Sequence, residues 1–164
     1  MRVIDFSPSP SPKSFTYSLY IIHQTGAADE AAVQAAYAEA SIPSRVHAFE
    51  REMASAFASA DLVVARAGAS TCFELAACGK PALFIPLPSA MRDHQHYNAE
   101  AFAAKGAADE GFQDKLTPRS LARYLRNFLG DRARLEKMSE KMRSLATPDA
   151  ASRVADLIES GNVE

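Results

Sequence analysis

Asp61-Leu62-Val63-Val64-Ala65-Arg66-Ala67-Gly68-Ala69-Ser70-Thr71-Cys72-Phe73-Glu74 decides the fold class of this chain. A short β-branched run reaches a glycine turn, and an apolar-periodic helix follows through Leu75, Ala76 and Ala77. A strand–turn–helix unit of this kind aims backbone N–H groups and the positive end of a helix dipole out of the sheet edge, where an anion can sit. Taken alone, the fragment reads equally well as an ordinary turn with a helix cap, since a lone glycine turn is weak evidence of a site.

The pattern repeats on both sides of this unit. Tyr17 to Ile22 is strand-like and stops at His23-Gln24-Thr25-Gly26, and Asp29 to Ala40 is helical, with Val33, Ala36, Tyr37 and Ala40 on one face. Arg45 to Phe49 reads as a strand and Glu50 to Ala58 as a helix. Gly79 closes the helix from Ser70 to Cys78, and Ala82-Leu83-Phe84-Ile85 is an apolar run suited to a strand buried on both faces. A helix from Gln95 to Ala104, a short strand from Ala107, and helices at Pro118–Phe128, Asp131–Leu145 and Pro148–Glu159 complete the pass. Strands alternating with helices at this spacing predict an α/β, Rossmann-like three-layer domain, a parallel sheet with helices on both faces over residues 16–164. Residues 1–15 stand apart. Ser7-Pro8-Ser9-Pro10-Ser11-Pro12 removes every second N–H donor, so this stretch is expected to be a disordered Ser/Pro-rich tail that joins neither helix nor sheet.

Composition narrows the function classes. The 164 residues suffice for one domain with its own core, and a formal net charge of -2 argues against general nucleic-acid binding. The nine Lys/Arg between Lys115 and Arg143 read as the solvated face of two helices. No apolar run approaches membrane-spanning length, and Pro8, Pro10 and Pro12 leave no room for a signal-peptide core. Cys72 and Cys78 lie six apart on one predicted helix, about 9 Å along its axis, too far to bridge. Two free thiols and no export signal point to the cytoplasm.

In a sheet of this kind ligands bind outside the carboxyl ends of the strands. His23-Gln24-Thr25-Gly26, Phe49-Glu50, Arg66 to Ala69, and Leu87 to Asn98 all fall there, and they hold the chain's unusual polar residues. Glu74, early in its helix, can accept two hydrogen bonds from a vicinal diol such as a ribose; the alternative is a glutamate capping its own helix. Gln95 and Asn98, three apart, can turn both amides to one side, where they suit sugar hydroxyls or simply solvent. His94 and His96, with Asp93 or Cys78 as further ligands, invite a zinc reading, but no Cys-x-x-Cys or His-Glu-x-x-His spacing accompanies them, and Ser70 lacks the Gly-x-Ser-x-Gly elbow of a hydrolase. His23 reads as a substrate contact or an imidazole at the sheet edge.

Asp61 to Thr71 with Glu74, Gly79-Lys80-Pro81-Ala82, Ile85-Pro86-Leu87-Pro88, Asp93-His94-Gln95 with Asn98-Ala99, His23-Gln24-Thr25-Gly26 and Pro148-Asp149-Ala150 occur in one order and spacing. Together they closely resemble the C-terminal domain of the MurG family of bacterial glycosyltransferases, over about residues 20 to 160. That family has two Rossmann-like domains facing across a cleft, the GT-B arrangement. The C-terminal domain holds the donor UDP-N-acetylglucosamine, and the N-terminal domain takes the lipid-linked muramyl-pentapeptide and supplies most of the catalytic groups. The resemblance implies that the backbone around Phe49 and Glu50 meets the uracil, that Ala69, Ser70 and Thr71 hold the diphosphate, and that Glu74 binds the ribose. Gln95 and Asn98 would meet the N-acetylglucosamine, with His94 standing where some relatives have glutamine, and Arg66 would favour the charged leaving group.

The same resemblance implies an inverting hexosyl transfer in peptidoglycan synthesis, with no metal and no cofactor beyond the donor itself. It places the full enzyme in the cytoplasm, at the inner face of the membrane. No catalytic base falls within this chain, so the isolated chain is expected to be inactive. Its expected partners are a UDP-sugar and an acceptor domain or subunit, through which alone it would meet the lipid acceptor. The last helix crosses to the acceptor domain in the family, so here it is expected to show an uncovered apolar side that can support a homodimer. One departure stands out: the family domain opens with a strand and a Gly-Gly-Ser-x-Gly-Ala loop that grips the diphosphate, and residues 1–15 contain no glycine. A non-catalytic nucleotide-sugar binding module, a subunit of a split transferase and an inactive remnant are the other readings.

Overall fold

In the computed structural model, which describes residues 2–8, 17–89 and 93–161, six short strands make one sheet. They are β1 (Arg2–Pro8), β2 (Tyr17–Gln24), β3 (Ser44–His47), β4 (Leu62–Ala65), β5 (Ala82–Phe84) and β6 (Ala108–Glu110). The spatial order is β3-β2-β1-β4-β5-β6. Pairs β2–β3, β4–β5 and β5–β6 are parallel, and β1 runs antiparallel to both of its neighbours.

The reversal of β1 follows from chain length. Only residues 9–16 join it to β2, whereas a parallel crossover needs a dozen or more residues and a hairpin far fewer. Arg2–Pro8 therefore corrects the expectation of an unpaired tail. Val3, Ile4 and Phe6 favour extended backbone, and the prolines that block pairing begin only at Pro8, the last residue of the strand. Residues 9–15, the rest of that expected tail, lie outside the described residues. Antiparallel registry sets Arg2 opposite both His23 and Val64, at the carboxyl ends of β2 and β4.

Seven α-helices are described: α1 (Glu30–Glu39), α2 (Met53–Ser59), α3 (Ala69–Cys78), α4 (His94–Ala104), α5 (Pro118–Leu129), α6 (Arg132–Ser144) and α7 (Ala150–Ser160). Side chains alternate across a strand, so β4 feeds two cores. Val63 joins Ala56, Phe57, Leu75, Ala76, Phe84 and Phe102 on the face covered by α2, α3 and α4. Leu62 joins Phe128, Leu129, Leu135 and Met138 on the opposite face, under α5 and α6. Burying each of the larger of these side chains contributes on the order of 1.5–3 kcal/mol, and the two layers clamp the central strands between them.

Local chemistry sets the helix ends. Thr117 and Ser120 form a capping box at the start of α5, with Pro118 as the first helical residue. Gly79 ends α3 in the left-handed region at φ 61. Its carbonyl accepts from Ser139 Oγ at 2.7 Å, and Lys80 Nζ donates to the carbonyls of Ala58 and Ala60 at the end of α2. Helix α2 begins at Met53 rather than at Glu50, because the Glu50 carboxylate folds inward and accepts the Glu52 N–H. On α7, Val154, Leu157 and Ile158 remain exposed, and no residue of the helix is buried.

Gly79→Ala should destabilise the domain by about 1–2 kcal/mol, the cost of a left-handed L-residue. An added Cβ would also stand 2.4 Å from Arg143 Cγ. Urea unfolding of the pair of proteins measures it. Sedimentation of the domain across concentration should reveal self-association through α7 that disappears on truncation after Thr147 with the core still folded; strong hydrogen-exchange protection of α7 in a monomeric sample would refute that role.

Candidate functional site at the carboxyl edge of the sheet

Helix α3 opens without a side-chain cap. Gly68 is its N-cap at φ -65, ψ 145, and the first intrahelical bond is Cys72 N–H to the Gly68 carbonyl. The N–H groups of Ala69, Ser70 and Thr71 precede that bond, and Ala69 and Ser70 are exposed. An N-terminus left in this state is a ready anion site. Glu74 is exposed one turn further on, on α3.

Three loops are stitched together around this helix start. Arg66, the residue after β4, donates through Nη1 to the carbonyls of Ile85 (3.0 Å) and Pro86 (3.1 Å), and through Nη2 to Gln113 Oε1 (2.7 Å). Its guanidinium thus braces the loops after β5 and β6 and keeps a positive charge beside the Gly68 turn. Gln95 Oε1 accepts the Leu87 N–H at 3.0 Å, and Asn98 Nδ2 donates to the Ala67 carbonyl at 2.9 Å. Each amide is oriented by its backbone partner, and the bond leaves Gln95 Nε2 and Asn98 Oδ1 for other contacts. His94 stands exposed as the first residue of α4.

The loop after β3 is organised by Glu50, the one buried charged residue among those described. Its Oε2 accepts from Arg45 Nη2 at 2.8 Å and its Oε1 from Glu52 N–H at 2.9 Å, while its own N–H donates to Gln24 Oε1 at 3.0 Å. The Glu52 N–H, then the Arg45 and His47 charges, hold the carboxyl below its ordinary value of 4.5 against the opposing effect of burial. With that carboxylate committed, Phe49 is left 70% exposed at the carboxyl end of β3. His23 is held by the Tyr37 hydroxyl, 3.1 Å from Nδ1.

Beside Arg66, on the α5 side of this edge, lies an open cleft of about 430 Å³ walled by His23, Val64, Arg66, Gln113, Leu121 and Leu125; the α3 start, Gln95, Asn98 and Glu50 lie outside it. Among the described residues no group of three or more His, Cys, Asp or Glu could hold a metal ion, and no helix is long and apolar enough to cross a membrane. Cys72 is buried, and burial pushes its thiol up to about 11; Cys78 is half-buried and likewise free. Arg45, Gln24, Gln113 and the pair His96–Glu110 (Nδ1 to Oε1, 2.7 Å) are contacts that sequence reasoning left without a role.

Residues 3–157 match the glycosyltransferase family 28 C-terminal domain. This chain belongs to that family. Its curated relatives carry the name UDP-N-acetylglucosamine--N-acetylmuramyl-(pentapeptide) pyrophosphoryl-undecaprenol N-acetylglucosamine transferase. The protein of Geobacter metallireducens is 45% identical over 138 residues, 84% of this chain and 38% of the relative. That of Syntrophotalea carbinolica is 47% identical over 137 residues, 83% of this chain and 38% of the relative. The crystal structure of Acinetobacter baumannii MurG superposes with a TM-score of 0.80 at 41% identity, covering 88% of this chain and 42% of that one. The family 28 domain described here therefore spans about two fifths of the proteins it matches, and the MurG resemblance and the GT-B half-fold both hold.

The buried Glu50 carboxylate gives the family 28 domain an acid-sensitive contact. A carboxyl whose folded pKa is depressed contributes stability above its unfolded value, and that contribution is lost as pH falls through the folded value. Glu50→Gln should thus be less stable than the parent near neutral pH and show a shallower loss of stability below about pH 4.5. Denaturant midpoints measured down the acid limb would check this, and parallel curves for the two proteins would refute it.

Proposed function

We propose that this domain is the donor half of an inverting transferase, which binds UDP-N-acetylglucosamine at the carboxyl edge of its sheet. Joined to an acceptor-binding domain, it would pass N-acetylglucosamine to a hydroxyl of the lipid-linked muramyl-pentapeptide in peptidoglycan synthesis. The uncapped start of α3 carries the reading, because its N–H groups stand beside two amides already oriented by backbone bonds. The names of the curated relatives supply the substrate and the acceptor.

In this reading the N–H groups of Ala69, Ser70 and Thr71 take the diphosphate and, with the charge of Arg66, stabilise the UDP that leaves. Glu74 accepts both ribose hydroxyls. The chain around Phe49 and Glu50 meets the uracil, its position fixed by the Glu50–Gln24 and Glu50–Arg45 contacts. Gln95 Nε2 and Asn98 Oδ1 face the sugar, with His94 at the same helix start. The domain's share of catalysis is binding and electrostatic stabilisation. The base that deprotonates the acceptor hydroxyl comes from the acceptor domain, which also brings the lipid-linked substrate; no metal or cofactor enters the scheme. The full enzyme works in the cytoplasm at the inner face of the membrane.

Calorimetric titration with UDP-N-acetylglucosamine and UDP tests the reading directly. Glu74→Ala should weaken UDP binding by about 1.5–3 kcal/mol, the scale of a hydrogen bond to a charged group, and leave the Tm of the ligand-free domain unchanged. Unaltered UDP affinity in that variant, or no binding to the parent domain, would overturn it.

A further inference from the structure

We propose that His96 is a positioning residue for the sugar end of this site: paired with Glu110, it fixes the first turn of α4, from which Gln95 and Asn98 face the ligand. The inference rests on the donor-binding reading above and adds to it a residue and a pH dependence. The start of α4 needs an external anchor. Asp93, its N-cap, sits in the left-handed region at φ 54 and makes no side-chain cap bond. A helix start with neither a cap nor a favourable backbone entry takes its position from whatever its side chains reach.

Three side chains in the first turn and a half provide that anchorage. Gln95 and Asn98, three residues apart, lie on one side of the helix and bond the Leu87 N–H and the Ala67 carbonyl. Both of those partners are loop backbone. His96 is turned about 100° away from Gln95 and reaches the sheet instead, with Nδ1 2.7 Å from Glu110 Oε1. Glu110 is the last residue of β6, paired in register with Phe84 and only 13% exposed. Phe112 packs against the imidazole with ring centroids 5.9 Å apart, and Tyr97 with centroids 5.6 Å apart. The pair is thus a polar tether from this helix start to a strand, and together with the buried Ala99 and Phe102 it sets the rotation of the helix that aims the two amides.

It is also the tether that titrates. The charged groups around the ring are Glu110 from β6, Glu100 from α4 itself and Asp93 just before it, with Lys115 Nζ over the Phe112 ring, 4.8 Å from its centroid. The Glu110 hydrogen bond is the largest influence and raises the His96 pKa above its ordinary 6.5. A raised folded value means that the tether is at full strength below the unfolded pKa and weakens as pH rises through the folded one. Above it the neutral ring keeps at most one N–H for the carboxylate and loses the charge.

Calorimetry on the parent domain, His96→Gln and Glu110→Gln at about pH 6 and about pH 8.5 provides the test. In the parent, UDP-N-acetylglucosamine should bind about two- to fivefold more weakly at the higher pH, the range of a partly exposed ion pair. Both variants should lose that step and bind at the weaker level throughout, while at about pH 6 their affinity for UDP, which has no sugar to aim at, matches the parent. A parent that binds the donor with variants that keep its affinity and its pH step would overturn the proposal. Equal losses for UDP and UDP-N-acetylglucosamine would overturn it too, since the defect would then be general.

If the parent binds neither ligand, the donor reading fails and the positioning claim is still decided by NMR on the ligand-free domain. Titrating the His96 ring should shift the side-chain amide resonances of Gln95 and Asn98, and Glu110→Gln should abolish that shift. Amide resonances indifferent to the His96 titration would refute the tether.

Discussion

The register of β4 against β5, and of β5 against β6, is the constraint from which the site is built. Val63 pairs with Ala82 and Ala65 with Phe84, and Ala82 pairs in turn with Ala108. These strands are three or four residues long and buried under helices on both faces, so a one-residue slip would exchange the Val63 core for the Leu62 core. Because the three strands are parallel, a fixed register also fixes where they end. Arg66, Ile85 and Gly111 then fall along one edge, close enough for a single guanidinium to reach from the first loop to the second and third. The precision of the site is inherited from apolar packing that never touches a ligand.

Strand β1 obeys the same sheet but not the same direction. A connection through residues 9–16 cannot cross over the sheet, so the slot between β2 and β4 is filled by a hairpin partner running the other way. In a parallel strand the residue leaving the sheet at this edge would lead into a turn and a helix start; here Arg2 occupies that end instead. In the proposed donor reading, the groups that would meet an anion at this edge are the α3 start and the charge of Arg66.

The sequence made the alternation of strands and helices legible, because periodicity, Gly79 and the Thr117-Pro118 signal are local. The position of Glu74, Gln95 and Asn98 at the carboxyl edge was legible for the same reason, since it needs only the order of elements. Two kinds of fact were not. The pairing of Arg2–Pro8 depends on which slot in the sheet stands open, and proline content near the start outweighed Val3, Ile4 and Phe6 in a purely local reading. The committed state of Glu50 and Arg66 depends on partners 2 to 47 residues away, and nothing in the residues themselves distinguishes a ligand-facing guanidinium from one spent on carbonyls. The same holds for His96, for which a purely local reading found no role and which by geometry serves a strand end.

What separates this edge from an ordinary polar surface is that its groups are half used. A solvated glutamine or asparagine loses side-chain entropy when a ligand orders it, about 0.5–1.5 kcal/mol for each such side chain. Gln95 and Asn98 have met that cost already, each through one bond to backbone that leaves the complementary half of the amide for a partner. The α3 start follows the same logic with backbone in place of side chains: its N–H groups are rigidly aimed and left without an internal acceptor. Groups ordered by the fold but incompletely satisfied by it favour a ligand with an anion at one end and hydroxyls at the other. The Arg66 brace keeps those two halves of the site at a fixed separation.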